Sequence, residues 1–552
     1  MAHLSFTAQK IIENGYLLKD SFGRTIETSD DMFRRIAHTI ARVEGQWGTL
    51  DEIEYYESEF LEMMRRLEFL PSPPTLMNAG LPKGQLLSSF VLAVPDSVEG
   101  ITQAVQQMSV LQKTGAGTGF SFSKIRPSRD VVETAGGQAS GPVNFMRLFD
   151  TATDVLKQGS RVPGMNMGVL SISHPDIFEF VRCKESGGFK NFRIAVAITS
   201  HFMRCLKKDT TYPLVNPRTG QIVNFVRAVD IFEAICKAAG KTGSPSLLFI
   251  DEINRHNPTP QLGDIEATSP YGEMPLLPNE GVIYGSINMA NLVDDKGFNE
   301  ERFEILIDLA VRFLDDAIEA SYCPLPQCEK IVLANRKIGL GVMGFADLLM
   351  RLEIPYDSLK AKSFATTTMK FMLKRARQAS IALAKQRGPF ANFKGSLLEK
   401  QKLKPIRNAT ITALGPTDLL ATIANISNGI APVPTLTYFN GQPDEARINP
   451  AFEEFLRENE FYDEAFVQKI IKTGNLKIIP KLTKKERDIF KIASEIDPEI
   501  QLKMQAVFQK YTDNGIARVI ELPKGTTDKD VYKIYMMAYQ SKCKNINITI
   551  RN

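Results

Sequence analysis

The runs Phe90-Val-Leu-Ala-Val94, Ala195-Val-Ala-Ile198 and Leu247-Leu-Phe-Ile250 decide the fold class of this chain. Each run is short and apolar, as expected for strands that are buried on both faces. Amphipathic helical segments such as residues 303–320 separate these runs along the sequence. The alternation predicts an α/β architecture with parallel strands over residues 71–440.

The region before residue 71 is predicted to be helical. Apolar residues recur at three- and four-residue spacing through residues 32–43 and again through residues 55–67, which is typical of amphipathic helices. The stiff segment Pro71-Ser-Pro-Pro74 should end this helical region, because proline cannot continue a helix. We therefore expect a helical N-terminal region over residues 1–70.

The region after residue 440 is also rich in helical patterns. Its last part, Asn545-Ile-Asn-Ile-Thr-Ile550, alternates like a strand. We expect residues 441–552 to form a helical C-terminal region whose final strand completes the α/β unit.

Composition excludes several classes of function. The chain of 552 residues carries 67 Lys and Arg against 63 Asp and Glu, a net charge of +4, which is too mild a balance to indicate nucleic-acid binding. No apolar run approaches the roughly 18–20 residues of a membrane span, and the polar N-terminus lacks a signal-peptide core. We expect a soluble, cytoplasmic protein that contacts neither nucleic acid nor membrane.

The six cysteines show neither the pairing pattern of a secreted disulfide framework nor the spacing of a zinc site. Cys323 and Cys328 are too far apart for a Cys-x-x-Cys motif. Buried or half-buried structural thiols, and no metal site, are expected.

Five motifs occur in one order along the chain: Pro73-Pro-Thr-Leu-Met-Asn-Ala-Gly80, Thr114-Gly-Ala-Gly-Thr-Gly-Phe-Ser-Phe-Ser123, Gly136-Gly-Gln-Ala-Ser-Gly-Pro142, Ala334-Asn-Arg-Lys-Ile-Gly-Leu-Gly-Val-Met-Gly-Phe345 and Gln505-Ala-Val-Phe-Gln-Lys-Tyr-Thr-Asp-Asn514. Each motif alone is weak evidence. Together they make the chain resemble the large chain of ribonucleotide reductases. The adenosylcobalamin-dependent (class II) type is most similar, because the N-terminal segment is too short for an added ATP-cone domain. The resemblance implies a ten-stranded α/β barrel of two halves, with a finger loop through its centre.

The catalytic loop of that family is altered in this chain. Members carry Asn-Pro-Cys-Gly-Glu at the finger tip, where the cysteine holds a thiyl radical, whereas this chain has Ser269-Pro-Tyr-Gly-Glu273. Tyr271 thus stands at the radical position, and Ser269 replaces the asparagine that binds the sugar. Glu273 remains at the position of the carboxylate that accepts the 3′-hydroxyl proton.

The two redox cysteines of the family are replaced as well. By the resemblance, they correspond to Ser89 and Val282. Neither side chain can form a disulfide, because only sulfur has the reversible oxidation states that this exchange requires. A phenoxyl radical on Tyr271 would abstract a ribose hydrogen poorly, so its ring is expected to fill space. Without these partners, we expect Glu273 to be a structural acid whose hydrogen bonds are made within the protein. The alternative is a role as general base.

Substrate phosphates are also expected to bind poorly. The family's phosphate loop opens a helix, and its N–H groups and hydroxyls hold the anion. At this place the chain has Pro416-Thr-Asp-Leu-Leu-Ala421, so Asp418 would repel the phosphate, while Thr417 and Ser88 remain as polar substrate positions. As an alternative, Asp418 is a helix cap.

The resemblance also assigns an effector-nucleotide site, in which some positions match the family and the relay loop departs from it. The resemblance assigns Asp96, Ser97 and Arg126 to it, and Arg161 to the loop that relays effector identity. An arginine suits phosphate recognition. In this family the site lies at a dimer interface, which implies a homodimer or association with another reductase chain.

Three hypotheses follow. The first is a catalytically inactive or altered reductase homologue that still binds nucleotide and has a regulatory role. The second is an enzyme with new chemistry in the same barrel. The third is a genuine ribonucleoside reductase that forms deoxyribonucleotides with thiols from elsewhere, such as Cys183 or Cys205. The family's adenosylcobalamin is the cofactor that the resemblance allows.

Overall fold

The computed structural model describes residues 4–132, 136–156, 164–439, 446–473, 476 and 482–551. Its helices are α1 (Phe6–Gly15), α2 (Ser29–Ala41), α3 (Leu50–Arg65), α4 (Pro73–Asn78), α5 (Val98–Gln112), α6 (Pro142–Leu156), α7 (Ile177–Arg182), α8 (Ser200–Lys208), α9 (Ala228–Thr242), α10 (Ile250–Arg255), α11 (Glu300–Ala320), α12 (Pro326–Asn335), α13 (Phe345–Arg351), α14 (Leu359–Arg387), α15 (Leu397–Lys400), α16 (Asp418–Ala424), α17 (Pro450–Glu458), α18 (Glu464–Thr473), α19 (Lys484–Ile489), α20 (Pro498–Gln509) and α21 (Asp528–Gln540).

The strands are β1 (Phe69–Pro71), β2 (Ser89–Leu92), β3 (Gly117–Ser121), β4 (Val131–Val132), β5 (Gly137–Gln138), β6 (Asn166–Ser171), β7 (Phe192–Ile198), β8 (Thr211–Val215), β9 (Ile222–Arg227), β10 (Ser246–Phe249), β11 (Ala267–Thr268), β12 (Pro275–Leu276), β13 (Glu280–Asn288), β14 (Val293–Asp294), β15 (Gly297–Phe298), β16 (Ile338–Met343), β17 (Thr437–Phe439), β18 (Ala446–Ile448), β19 (Val519–Leu522) and β20 (Asn545–Ile550).

The main sheet closes into a barrel of two parallel halves. In the first half β2, β3, β6, β7 and β10 run side by side. The second half contains β13, β16, β19 and β20, with residues 411–414 bridging β16 to the segment before β19. The halves meet at two antiparallel seams, β2 with β13 and β10 with β20. This arrangement confirms the predicted α/β barrel.

The predicted strands can be compared directly with those of the structure. The runs at residues 90–94, 195–198 and 247–250 coincide with the barrel strands β2, β7 and β10, although β2 ends at Leu92 and Ile250 already begins α10. The expected closing strand is β20, with the predicted bounds. Parallel pairing holds within each half but is wrong at the seams, because a barrel of two parallel halves must reverse direction twice.

The N-terminal helices are fixed by local sequence. Capping boxes start α2 at Thr28 and α3 at Thr49, since each threonine accepts a hydrogen bond from the third helical residue, whose carboxylate bonds back. The proline segment was expected to end the helical region, but another helix, α4, begins within it. Pro73 and Pro74 occupy the first turn of α4, where proline's fixed φ and missing N–H are tolerated.

The barrel interior is filled by side chains of its strands and of a loop that passes through it. An apolar cluster contains strand residues such as Val91, Val169 and Ala197 together with Ile265, Met274 and other loop residues. This loop is the finger loop, residues 263–277, and it brings its tip to the centre of the barrel. No helix of the described ranges is long and apolar enough to cross a membrane.

Candidate active site

The finger loop is a hairpin that packs closely on β3. Strands β11 and β12 pair through Thr268 and Pro275, and the tip, Ser269 to Glu273, connects them. A Cβ on Gly119 would lie 1.9 Å from the carbonyl oxygen of Thr268. Only glycine allows this approach, so β3 determines how deeply the tip enters the barrel.

Tyr271 is held at the tip by its backbone and its ring. Its carbonyl oxygen accepts hydrogen bonds from the side-chain amides of Asn545 (3.1 Å) and Asn547 (2.8 Å) on β20. The guanidinium of Arg193 lies 3.9 Å from the centre of its ring, a cation–π contact. The position that the resemblance assigns to the radical cysteine therefore holds a half-buried phenol next to a cation.

Glu273 lies beside Tyr271 and is buried, with 1% of its surface exposed. Its Oε2 accepts a hydrogen bond of 3.0 Å from the backbone N–H of Tyr271. Burial raises the pKa of the Glu273 carboxyl, although hydrogen bonds from Ser269 and the backbone, and the charge of Arg193, oppose the rise. Burial therefore makes the charged form of this carboxyl less favourable than it is in water.

The two positions assigned to redox cysteines are direct neighbours. Ser89 and Val282 are opposite each other in the antiparallel seam of β2 and β13, and both are buried. A Cβ on Gly117 would lie 2.9 Å from Pro270 and 3.3 Å from the Ser89 hydroxyl, so this pair is close to the finger tip. Two of the positions that the resemblance assigns to cysteines thus lie next to the finger tip that carries the third.

All six cysteines lie outside the barrel interior. Cys236, Cys323, Cys328 and Cys543 are buried in the outer core, and Cys183 and Cys205 are half-buried against it. None of them belongs to the interior cluster. The prediction of structural thiols is confirmed, and the geometry does not bring Cys183 or Cys205 to the finger tip. No group of three or more metal-binding side chains occurs among the residues that the structure describes.

The polar groups at the positions assigned to substrate binding already have protein partners. The Ser88 hydroxyl donates to Ser72 Oγ (2.8 Å) and accepts from the N–H of Tyr284 (2.9 Å). The Thr417 hydroxyl donates to Asn428 Oδ1, and Asn428 Nδ2 donates to Asp418 Oδ1, each at 2.5 Å. The capping role expected for Asp418 is wrong, because Thr417 is the N-cap and Asp418 is the first residue of α16.

Tyr284 is an important residue that the sequence reasoning missed. Its ring packs on Gly415, where a Cβ would lie 2.7 Å from a ring atom, and its hydroxyl donates to the carbonyl of Pro416 (3.3 Å). Burial raises the pKa of its phenol well above the usual value. Tyr284 thus occupies space between the finger tip and the phosphate loop. It lies two residues after Val282 on the same strand, so strand alternation could have placed it on the inner face.

Arg193 was missed as well. It lies in β7 among apolar residues, and its buried Nε has no hydrogen-bond partner among the described residues. An arginine within a strand that is otherwise buried was the available signal, since such a residue is almost never buried without a partner.

The positions assigned to the effector site are joined to each other. Arg126 donates to Asp96 from its backbone N–H (3.0 Å) and from Nε (2.8 Å). The Ser97 hydroxyl caps α5 by accepting from the N–H of Gly100 (3.0 Å). Arg161 lies outside the described residues.

The fold and the finger loop define an α/β barrel of the ribonucleotide reductase type. Family models of the ribonucleotide reductase all-alpha domain and barrel domain match residues 2–84 and 87–549. The chain therefore belongs to the ribonucleotide reductase large-chain family.

Named relatives and a solved structure agree with this assignment. The chain is 40% identical to a vitamin B12-dependent ribonucleoside-diphosphate reductase of Thermoplasma acidophilum, over 99% of this chain and 78% of the relative. A protein of the same name from Mycobacterium tuberculosis is also 40% identical, with 99% and 79% covered. The class Id ribonucleotide reductase alpha subunit of Actinobacillus ureae has the same fold, with a TM-score of 0.79 at 24% identity, covering 99% of this chain and 96% of that one.

Proposed function

We propose that this chain is a catalytically altered member of its family that has lost thiyl-radical reduction and acts as a nucleotide-binding regulatory protein. The observation that carries the proposal is the meeting of Ser89, Val282 and Tyr271 at the finger tip. All six cysteines lie elsewhere. Reduction of a ribose needs thiols that reach one sugar, and a displacement of even one ångström is costly in such chemistry.

The substrate pocket supports the same proposal. The side chains of Thr417 and Asp418 are both hydrogen-bonded to Asn428. A phosphate would therefore have to displace these hydrogen bonds and approach a carboxylate. Tyr284 reduces the space above the finger tip. A substrate would therefore meet both repulsion and a filled volume.

Adenosylcobalamin is the cofactor that the family resemblance supports, but the finger tip lacks the thiol to which it would pass a radical. Relatives at 40% identity are named vitamin B12-dependent, which makes adenosylcobalamin the cofactor to test. In this family it supplies a radical that is passed to a thiol. Here the corresponding side chain is the phenol of Tyr271, which contacts Arg193, and no thiol faces the barrel interior in the described chain.

Genuine ribonucleoside reductase activity is the second candidate, and the names of the relatives favour it. The two candidates are separated by incubating the protein with the four ribonucleoside diphosphates, a dithiol and adenosylcobalamin, with the Thermoplasma acidophilum relative as positive control. We expect no deoxyribonucleotide above a no-enzyme control. Turnover by this chain would refute the proposal and support the second candidate.

Nucleotide binding is proposed at the Asp96, Ser97 and Arg126 positions. Arg126 and the N-terminus of the fifteen-residue helix α5 provide donors for an anionic effector. Calorimetric titration with the four deoxynucleoside triphosphates tests this part. Asp96→Ala should weaken binding, whereas Asp209→Ala, which breaks a similar but exposed ion pair with Arg227, should not. If the parent protein binds none of the four, the effector site is excluded.

We further propose a homodimer or association with another reductase chain through α5 and α6. These adjacent helices expose several apolar side chains: Val98, Val110, Leu148, Val155 and Leu156. Several exposed apolar side chains on adjacent helices are typical of an interaction site. The free cysteines support a reducing, cytoplasmic location.

A further inference from the structure

A cavity lies outside the barrel, between helices α10, α14, α15 and α20. Its volume is about 480 Å³, within the range of small-ligand sites. Its walls come from segments that are remote in sequence, including Arg255, Arg377, Lys510 and Lys544. None of the finger-tip or effector positions described above lines it.

The cavity carries an excess of positive charge. Its basic side chains are Arg255, His256, Arg377, Lys510, Lys542 and Lys544, and its acidic side chains are Glu252 and Asp513. Burial and the charges of Lys544, Arg255 and Lys542 lower the pKa of His256 to about 4. A neutral histidine is what a region of unbalanced positive charge produces.

Other groups already engage both acids. The Asp513 carboxylate accepts from the N–H groups of Ile411 (3.1 Å) and Thr412 (3.2 Å) and from Arg377 Nη2 (3.0 Å). Glu252 pairs with Arg255 on the same helix. Neither carboxylate forms a direct ion pair with one of the three lysines in the described ranges.

Three lysine amines remain without a carboxylate. Lys544 is only 4% exposed, and its amine donates to the backbone carbonyl of Asp513. Lys510 lies 5.6 Å from the ring of Tyr511, and Lys542 is exposed at the rim. Across the described ranges none of the three forms an ion pair. Burial lowers the pKa of Lys544 to about 8, although the charge of Asp513 opposes this shift. A buried ammonium is costly, and an anion in the cavity would reduce that cost.

A smaller cavity of about 240 Å³ adjoins the first one and shares Glu252, Arg255 and Lys542 with it. Phe249 and Tyr539 line this smaller cavity, with ring centres 5.5 Å apart. Aromatic side chains of this kind stack on nucleobases without strict preference. The two cavities together offer a cationic part and an aromatic part.

We propose that the larger cavity binds a phosphate-bearing anion, whose phosphate chain contacts Lys544, Lys542 and Lys510. The site is separate from the effector positions and does not depend on the proposed loss of reductase activity. Inorganic polyphosphate and nucleoside polyphosphates share this chemistry, and the smaller cavity would accept the base of the latter.

The test is isothermal titration of the full chain with tripolyphosphate and, separately, with ATP. We expect binding that weakens as salt is added. The double variant Lys510→Ala/Lys542→Gln should bind at least about tenfold more weakly, because it loses two charge-assisted contacts. Lys208→Ala, at the exposed end of α8, should leave this binding unchanged.

The outcomes separate the sources of the phosphate. Similar affinity for both probes indicates that the polyphosphate chain alone is recognised, whereas tighter binding of ATP that Tyr539→Ala abolishes indicates a nucleotide. Lys544→Met gives a further check where circular dichroism shows that it is folded. The proposal is overturned if neither probe binds, or if binding is the same in the parent and the double variant.

Discussion

Ser89 and Val282 are direct partners across the antiparallel seam of β2 and β13, with 4% and 1% of their surfaces exposed. The barrel therefore keeps the geometry that would place two thiols side by side, although neither residue contains sulfur. The proposed loss of reductase chemistry would then result from side-chain replacement in an intact framework. This relationship can be tested without any assumption about activity.

The double variant Ser89→Cys/Val282→Cys should form a disulfide under mild oxidation. Facing residues in an antiparallel pair have Cβ atoms about 4.5–5.5 Å apart, close to what a disulfide requires. Mass spectrometry should show the loss of two hydrogens, and thiol titration should show no gain in free thiols over the parent. Ser89→Cys alone, which should add one thiol, is the control. A double variant that stays fully reduced would contradict the register.

The native cysteines should react slowly with a thiol reagent at pH 8. Burial raises the pKa of Cys183, Cys328 and Cys543 to about 12, so the reactive thiolate is scarce. We expect only the half-buried Cys183 and Cys205 to be labelled slowly in the folded protein, and all six after denaturation. Rapid labelling of a buried cysteine would argue for a reactive thiol and revive the reductase alternative.

The substitution Glu273→Gln should remove the contribution of this carboxyl to the pH dependence of the protein's stability. The pKa of Glu273 is raised in the folded protein, so the folded state binds more protons than the unfolded state. Its contribution is then present below the unfolded pKa and is lost as the pH rises through the folded pKa. Melting temperatures from pH 4 to pH 8 should fall less in Glu273→Gln than in the parent. Glu266→Gln, in the partly exposed ion pair with Lys124, is the control, and parallel curves for the parent and Glu273→Gln would contradict a raised pKa of Glu273.

Tyr284→Ala should destabilise the barrel by about 3 kcal/mol, the usual cost of truncating a large buried ring. The ring is 5% exposed and packs on Gly415. Thermal unfolding measures the effect. Tyr322→Ala, at a tyrosine with 42% exposure, should change the melting temperature little. Equal effects of the two variants would show that Tyr284 does not fill the barrel.

Charge on α6 should break the proposed dimer. Leu148 and Val155 are 48% and 64% exposed, and Leu148→Glu/Val155→Glu would place two carboxylates in an apolar interface. Light scattering should show a dimer for the parent and a monomer for this variant. Leu359→Glu, at an 83% exposed position on α14, should remain dimeric. A monomeric parent would exclude the interface.

The site residues that the sequence could locate lie in local motifs, whereas the others depend on contacts between segments that are separated along the chain. Ser89, Val282 and Tyr271 could be located because each lies in a motif whose spacing survives. Asp418 was expected to cap a helix, but its partner Asn428 is ten residues away and is brought back only by the turn after α16. Arg193 could be read as buried, but its position over Tyr271 requires the finger loop to cross the barrel.

The sequence by itself determined the α/β class and several of the barrel strands, because apolar periodicity is a local property, and the family resemblance assigned Ser89, Val282 and Tyr271 to the cysteine positions. Tertiary structure decided that Ser89 is opposite Val282, that Tyr284 packs on Gly415, and that lysines 510, 542 and 544 line one cavity. These relationships depend on ring closure and on the path of the finger loop, which join residues hundreds of positions apart. No local pattern encodes such distances, because they arise only when the two halves of the barrel pack around a common interior.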